Sequence, residues 1–406
     1  MIFFEEALKI VLGQAITLKS ERVSLSESCG RILAEDIFSD MDMPPFDKSA
    51  VDGYACRMAD LQIPDVGSQN DLVGTQYFVS LQVVETIPAG KIPEIGIGQG
   101  ECSKIMTGAM IPEGADCVVM VEDSEMTAEN IVVFKRDQSA KNICYTAENI
   151  KNGELVLKKG VEIGPAHMAV LAGVGTINPL VASLPRIAII STGDELVEPD
   201  VIPGKAQIRN SNASQLEAQV RKVPAIPVYT GIVADEGSAL RSIIDRSMIG
   251  NDVVLLTGGV SMGDYDFVPE IMVKAGIEIL FKSIAIQPGR PTVFGRKGDR
   301  FIFGLPGNPV SSYIMFEMLV KPFLLNLMGH TYEPLKLFLP MAVNYSRGKS
   351  ARKSLIPVQI RNGAVYPVEY HGSAHINAYT DANGILIMEI GTTNINQGEL
   401  VHVRPI

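Results

Sequence analysis

Three glycine-bearing strings in the second half of the chain have the composition of anion-binding turns: Thr192-Gly193-Asp194-Glu195, Thr257-Gly258-Gly259-Val260-Ser261-Met262-Gly263-Asp264-Tyr265-Asp266 and Gly304-Leu305-Pro306-Gly307-Asn308-Pro309. Glycine lets backbone N–H groups approach phosphate oxygens, and a helix N-terminus adds a partial positive charge of ~0.5 elementary units. Asn308 is a favoured N-cap and Pro309 suits the first helical position, where its missing N–H costs nothing, so the helix that follows is aimed at whatever the turn holds. The acids Asp194, Glu195, Asp235, Asp264 and Asp266 fall at the same rim. Carboxylates beside an anionic ligand point to a hard cation such as Mg²⁺, which takes one or two of them together with phosphate oxygens. Plain capping or solvated-loop roles would account for Asp194 and Asp235 equally well. In Gln287-Pro288-Gly289-Arg290-Pro291, Arg290 supplies one guanidinium for an oxyanion, whereas Lys282 reads as a surface charge.

The elements that must carry these turns alternate regularly. Arg186 to Ser191 reads as a strand, Asn212 with Gln215 as a capping box opening a helix, Ile226 to Val233 as the next strand, and Asp235 as the cap of another helix. Val253 to Thr257 is a buried strand, Phe267 to Ala275 a helix, Ile277 to Ala285 and Phe301 to Phe303 strands, and Val310 to about Met328 a long helix. Alternation of this kind predicts a doubly wound α/β domain, whose ligands bind where the strands end. All three glycine turns then face one cleft.

The rest of the chain reads differently. Val79, Leu81 and Val83 alternate with Ser80 and Gln82, and Val118 to Val121 and Ile131 to Phe134 are short β-rich runs, so a small β domain is expected there. After Gly329 the helical period vanishes, and Asn362-Gly363 between two β-rich runs is a type I′ hairpin signal that predicts a small C-terminal β-barrel. Pro357 and Pro367 should lie on edges or at bulges. The expected division is a discontinuous first domain over 1–40 and 141–181, an inserted β domain over 41–140, the α/β domain over 182–329 and the barrel over 330–406. Met43 to Ala55, dense in Pro, Asp and Gly, reads as a functional loop that contains Ser49 and Asp52, and Ile105-Met106-Thr107-Gly108-Ala109 as a hydroxyl followed by a turn. His371 and His375 have metal-ligand spacing, but Gly372 and the β context oppose that role.

Composition narrows the function. A net charge of -11 disfavours a nucleic-acid surface, and no uninterrupted apolar run in the most hydrophobic stretch, Ala166 to Ile190, reaches the ~20 residues of a membrane helix. Five widely spaced cysteines without a C-x-x-C pattern disfavour structural zinc and a disulfide framework. Glu5 and Glu6 stand where a signal peptide carries positive charge, and Phe4, Leu8, Val11 and Leu12 have helical spacing, so a cytoplasmic protein starting with an amphipathic helix is expected.

Five strings, F-D-K-S-A-V-D-G-Y-A, I-M-T-G-A, S-T-G-D-E-L, T-G-G-V-S-M-G-D-Y-D and G-L-P-G-N-P-V-S, agree in order and spacing with the molybdopterin molybdenumtransferase family, which includes the E domain of gephyrin. The resemblance runs nearly end to end. It implies an elongated homodimer of four-domain chains, with an active site shared between subunits, that inserts molybdate into adenylylated molybdopterin and releases AMP in a Mg²⁺-dependent step. By motif, Glu195 and Asp266 become the principal carboxylates at the metal, with Asp235 a third, and Asp52 and Thr107 reach the cleft from the partner subunit. Ser261, Gly307 and Asn308 line the phosphate and adenylate side, Ser373 enters from the C-terminal domain, and Ser49, Gly258, Gly259, Arg290, Pro306 and Pro309 join the substrate-binding set. An adenylyltransferase supplying the activated pterin is an expected partner.

Three departures stand out. A basic pair with Gly-Glu-Asp is replaced by Cys144-Tyr145-Thr146-Ala147-Glu148-Asn149, K-P-G-K-P by a string with Gln287 and Arg290, and Tyr-Asp-Thr-Asn by Arg209-Asn210-Ser211-Asn212. Arg209 and Arg290 are the candidate replacements for the lost charge. Two other readings stay open on sequence: an adenylyltransferase on the same α/β domain, and a non-catalytic dimeric module that binds partner peptides.

Overall fold

The computed structural model describes residues 1–61, 79–134, 140–259 and 268–406; Ser261, Asp264 and Asp266 therefore lie outside the described residues. The chain divides into two compact units, one of Met1–Glu35, Lys159–Met168 and Asn178–Ile406, the other of Asp36–Lys158 and Ala169–Ile177. It is a multidomain protein of α/β and β parts.

In the first unit a six-stranded sheet has the order Ile226–Val233, Arg186–Thr192, Val253–Thr257, Arg300–Leu305, Val293–Lys297, Glu278–Phe281. Its first four strands are parallel to one another. Both faces are covered, and the two-residue period of a strand decides which side chain goes where. Ile187, Ile189, Val253, Leu255 and Phe303 pack with Leu216 and Val220 of helix Ser211–Arg221 and with Ile314 and Phe323. Ala188, Ile190, Val254, Leu256 and Ile302 pack on the other side with Leu240 and Ile244 of helix Gly237–Gly250 and Met272 of helix Val268–Lys274. Because the four strands run in one direction, the turns after Thr192, Val233, Thr257 and Leu305 emerge at one end of the sheet.

The doubly wound expectation needs one amendment. Strand Val293–Lys297, which the sequence reading passes over, forms an antiparallel hairpin with Arg300–Leu305 through a tight turn at Gly298 (φ 59°), so the sheet is mixed. An antiparallel neighbour needs only two turn residues, whereas a parallel one needs a crossover. The strand expected over Ile277 to Ala285 is shorter, Glu278–Phe281. Two caps also differ. Asn210, not Asn212, caps helix Ser211–Arg221, its Oδ1 accepting from the Ala213 N–H at 3.3 Å. Glu236 precedes helix Gly237–Gly250 with no side-chain cap bond, and the Asp235 carboxylate instead accepts from the Thr192 hydroxyl.

The long helix is present as Pro309–Met315, a wider π turn Phe316–Val320, and Lys321–Leu327. Over Pro309–Leu327 it is long and apolar enough to cross a membrane, yet Phe316, Leu319, Val320, Phe323 and Leu324 are wholly buried inside the fold. Near its end Phe323 meets Phe294, Phe301 and Phe303 edge-on, with ring centroids 5.7, 4.8 and 5.6 Å apart.

Beyond it, strands Leu337–Pro340, Leu400–Pro405, Gly384–Met388, Lys353–Arg361 and Ala364–Pro367 pair in that order. A bridge from Met341 to Val365, with the Ala342 N–H donating to the Val365 carbonyl at 2.9 Å, closes them into a small barrel. Asn362 and Gly363 both have positive φ (51° and 72°), as a type I′ turn demands. Pro367 ends the strand Ala364–Pro367, and Pro357 falls between the stretches of its strand that pair with Ile286–Gln287 and Ala364–Pro367.

The second unit carries another six-stranded sheet, ordered Cys117–Met120, Gly53–Cys56, Glu101–Ile105, Val79–Ile87, Ile131–Phe134, Ser124–Ala128. Its core holds Tyr54, Leu81, Val119, Val132 and Phe134.

The aromatic cluster yields a stability test. Phe323→Ala should lower the free energy of unfolding of the first unit by about 3–5 kcal/mol, because the rings around it are held by separate strands and collapse poorly. Chemical denaturation measures it, and Phe323→Leu should cost clearly less.

Candidate functional site

A cavity of about 620 Å³, within the range of small-molecule sites, opens where the parallel strands end. Glu195, Asp235, Gly258, Gly259, Pro306, Gly307, Asn308 and Pro309 all line it, so residues far apart in sequence are brought together as the alternation of elements predicts. Arg290 and Ser373 are not among its lining residues but stand one position from Pro291 and Ala374, which are. The Ser373 carbonyl accepts from the Val310 N–H at 3.1 Å, which ties that segment to the first turn of the long helix.

The cavity is shaped by backbone approach. A Cβ on Gly258 (φ 103°) would lie 2.2 Å from the Thr192 carbonyl oxygen, so only glycine lets these neighbouring turns come so close. Asp194 is tied inward, its Oδ1 accepting from the Asp235 N–H at 3.1 Å. Thr192 in turn fixes the Asp235 carboxylate. Glu195 lines the cavity, and its carboxylate has no hydrogen-bond partner among the described residues.

Four residues that the sequence reading did not assign to the site organise its floor. The Asn212 amide donates to Thr257 Oγ1 at 2.9 Å and to the Gly307 carbonyl at 2.8 Å, and the Thr257 hydroxyl donates to the Pro306 carbonyl at 3.2 Å. Asn210, buried, accepts from the Ser191 hydroxyl at 3.1 Å and donates to Tyr229 Oη at 3.0 Å. The Tyr229 hydroxyl donates to Glu198 at 2.8 Å. Burial, reinforced by Glu198, pushes its pKa up to about 12, so it remains a donor at neutral pH. An acid at position 210 could accept from Ser191 and from the helix but could not donate to Tyr229. Asparagine here is thus matched to its neighbours. Asn210 and Asn212 flank Ser211 and both suit a cap by type, but the helix takes its cap from Asn210 and leaves Asn212 to the turn. Arg209 lines the cavity, with its Nε donating to the Val201 carbonyl at 3.1 Å.

In the second unit Asp52 and Thr107 form one exposed pair. The Thr107 N–H and hydroxyl both donate to Asp52 Oδ1, at 2.6 and 2.8 Å. The backbone donor first and the hydroxyl second hold the Asp52 carboxyl below the usual carboxylate range. Gly53 is required beside it, since a Cβ there would fall 2.0 Å from the Val119 carbonyl oxygen. A second pair of the same kind joins the loop to the departed segment: the Thr146 N–H and hydroxyl donate to Asp47 Oδ1 at 2.7 and 2.8 Å. Ser49 is buried, its hydroxyl donating to the Val51 carbonyl at 2.5 Å, which holds the loop in shape. His375 Nδ1 accepts from the His371 N–H at 3.3 Å.

Comparison with known proteins covers almost the whole chain. Residues 2–175 match the MoeA N-terminal region (domain I and II), 188–326 a probable molybdopterin binding domain, and 342–406 the MoeA C-terminal region (domain IV). The chain is 35% identical to the molybdopterin molybdenumtransferase of Bacillus subtilis, over 98% of this chain and 93% of that one. It is 34% identical to that of Staphylococcus epidermidis, over 99% and 95%. Among solved structures, the molybdopterin biosynthesis moeA protein of Pyrococcus horikoshii OT3 superposes with a TM-score of 0.84 at 29% identity, over all of both chains.

The Asp52 pair makes a prediction with a definite sign. A carboxyl whose folded-state pKa is depressed contributes stability above its unfolded-state pKa and loses it as pH falls through the folded-state value. Thr107→Val keeps the N–H donor and removes the hydroxyl. It should therefore raise the Asp52 pKa towards the ordinary value without reaching it, as read by carboxyl-carbon NMR titration; an unshifted titration would show that the hydroxyl bond is absent in solution.

Proposed function

The chain belongs to the molybdopterin molybdenumtransferase family, and we propose that it performs that family's reaction in the cavity at the strand ends, with the backbone of the Gly307-Asn308 turn holding the phosphate of its substrate. It is a transferase of molybdenum cofactor biosynthesis whose substrates are molybdopterin and molybdate. The supporting observation is the convergence of Glu195, Asp235, Gly258, Gly307 and Asn308 on a single cavity. An adenylyltransferase on the same α/β domain would not account for family matches on both sides of that domain, and nothing in the site favours a peptide-binding module.

The pterin enters adenylylated and AMP leaves. Mg²⁺ fits the donor set: Glu195 has no hydrogen-bond partner among the described residues, Asp235 keeps one oxygen beyond the Thr192 bond, and ligand phosphates would add oxygens, with Asp266 the further carboxylate assigned by motif. When bound, the cation neutralises phosphate charge that the protein's own acids would otherwise repel. Turn amides bind and orient the phosphate, Arg209 and Arg290 supply the cationic side chains nearby, and Thr192 holds Asp235 in place. A second copy completes the site through the partner subunit's Asp52 and the partner subunit's Thr107. An adenylyltransferase partner, a cytoplasmic setting and the division at residues 41, 141, 182 and 330 belong to the same proposal.

The direct test is AMP release and cofactor formation from adenylylated molybdopterin, molybdate and Mg²⁺. Purified protein should give both; neither product would refute the assignment. Glu195→Gln should lower Mg²⁺-dependent turnover about 10- to 100-fold and weaken Mg²⁺ binding by calorimetry, with little change in thermal stability.

A further inference from the structure

The floor of the cavity determines which way the Gly307-Asn308 turn faces. Both hydrogens of the Asn212 amide are engaged, one on Thr257 Oγ1 at 2.9 Å and one on the Gly307 carbonyl at 2.8 Å. The hydroxyl hydrogen of Thr257 engages the preceding carbonyl, that of Pro306, at 3.2 Å. Two successive carbonyl groups are therefore pinned to the same pair of side chains. In a trans peptide the C=O and the following N–H point in opposite directions, and the only cis bonds among the described residues are Met43-Pro44 and Gln287-Pro288. The N–H groups of Gly307 and Asn308 must then point away from Asn212 and Thr257. Neither has a partner among the described residues.

We propose that Asn212 and Thr257 are positioning residues which, by pinning the Pro306 and Gly307 carbonyls, turn the Gly307 and Asn308 N–H groups into a two-donor nest for the phosphate of the ligand. The inference rests on the cavity being the phosphate site, as read above. A further detail supports it. A carbonyl can only accept, so the bond to Gly307 fixes the Asn212 amide with its nitrogen towards the turn and leaves Oδ1 buried without a partner among the described residues. A purely structural asparagine gains nothing from an unmet buried acceptor. Here the unmet acceptor accompanies an arrangement that aims both hydrogens at the turn. Removing the side chain removes two donors and one unpaired acceptor together, so folding stability should change little while the turn loses its orientation.

The test compares AMP with adenosine, which lacks the phosphate, by calorimetry on the full-length protein. Wild type should bind AMP more tightly than adenosine. Asn212→Ala and Thr257→Val should each weaken AMP roughly 10- to 100-fold and leave adenosine unchanged, with the melting temperature lowered by less than about 2 °C. Thr257→Ser, which keeps the hydroxyl, should retain AMP affinity. The ratio of the two affinities is the deciding quantity, because partial unfolding would depress both ligands alike. Variants that keep the wild-type ratio overturn the positioning role while leaving the cavity reading intact. A wild type without preference for AMP overturns the cavity reading, and this inference with it.

Discussion

An acidic protein whose proposed ligand is an anion depends on one constraint: backbone N–H groups have to be presented at a common place and in a common direction. Four strands running in one direction provide the place, because each ends in a turn at the same edge of the sheet. Packing of opposite faces into two cores, through residues such as Ile187 and Ala188, makes that direction rigid. The direction of individual amides is a separate matter, resolved by side chains beneath the turns. Thr192, Asn212 and Thr257 bind carboxylate, hydroxyl or carbonyl groups and leave amides of the turns available.

Two of the three departures from the family pattern make sense on this footing. Asn210 is a cap and a donor to Tyr229, so its loss of charge removes nothing that its own surroundings can use. The replaced segment at Thr146 is anchored by Asp47 through the same two-donor geometry that Thr107 gives Asp52. Local hydrogen bonding, not net charge, holds both loops in shape.

Much of this was legible in the sequence because it rests on local chemistry. The apolar runs at 186–191, 226–233 and 253–257 gave strands at almost those bounds, and Asn362-Gly363 gave its hairpin. The grouping of Glu195, Asp235 and Asn308 followed from the alternation of strands and helices, which sends the turns after the strands to one rim. What escaped was set by tertiary partners. Strand Val293–Lys297 follows a Pro-Gly-rich turn and is interrupted by Gly295, where a Cβ would lie 2.7 Å from Ile277 Cγ2, so its glycine signals a close approach that only the folded neighbour explains. Asn210 and Asn212 flank one serine and are equally good caps by type. Only the positions of Ser191, Thr257 and Gly307 separate their roles.

The N-terminal helix Phe4–Gly13 buries Phe4, Ala7 and Val11 in the same core as Phe323 and Tyr379, and Glu5 pairs with Lys353 of the barrel. Strand Ser20–Arg22 likewise waits for Leu180–Ala182. Helix Phe4–Gly13 therefore has no docking surface until the segments around Phe323 and Lys353 have been made, and its apolar face stays uncovered over that interval of synthesis. Glu5 and Glu6 lie in its exposed first turn, and Glu5 then pairs with Lys353, which ties two segments far apart in sequence.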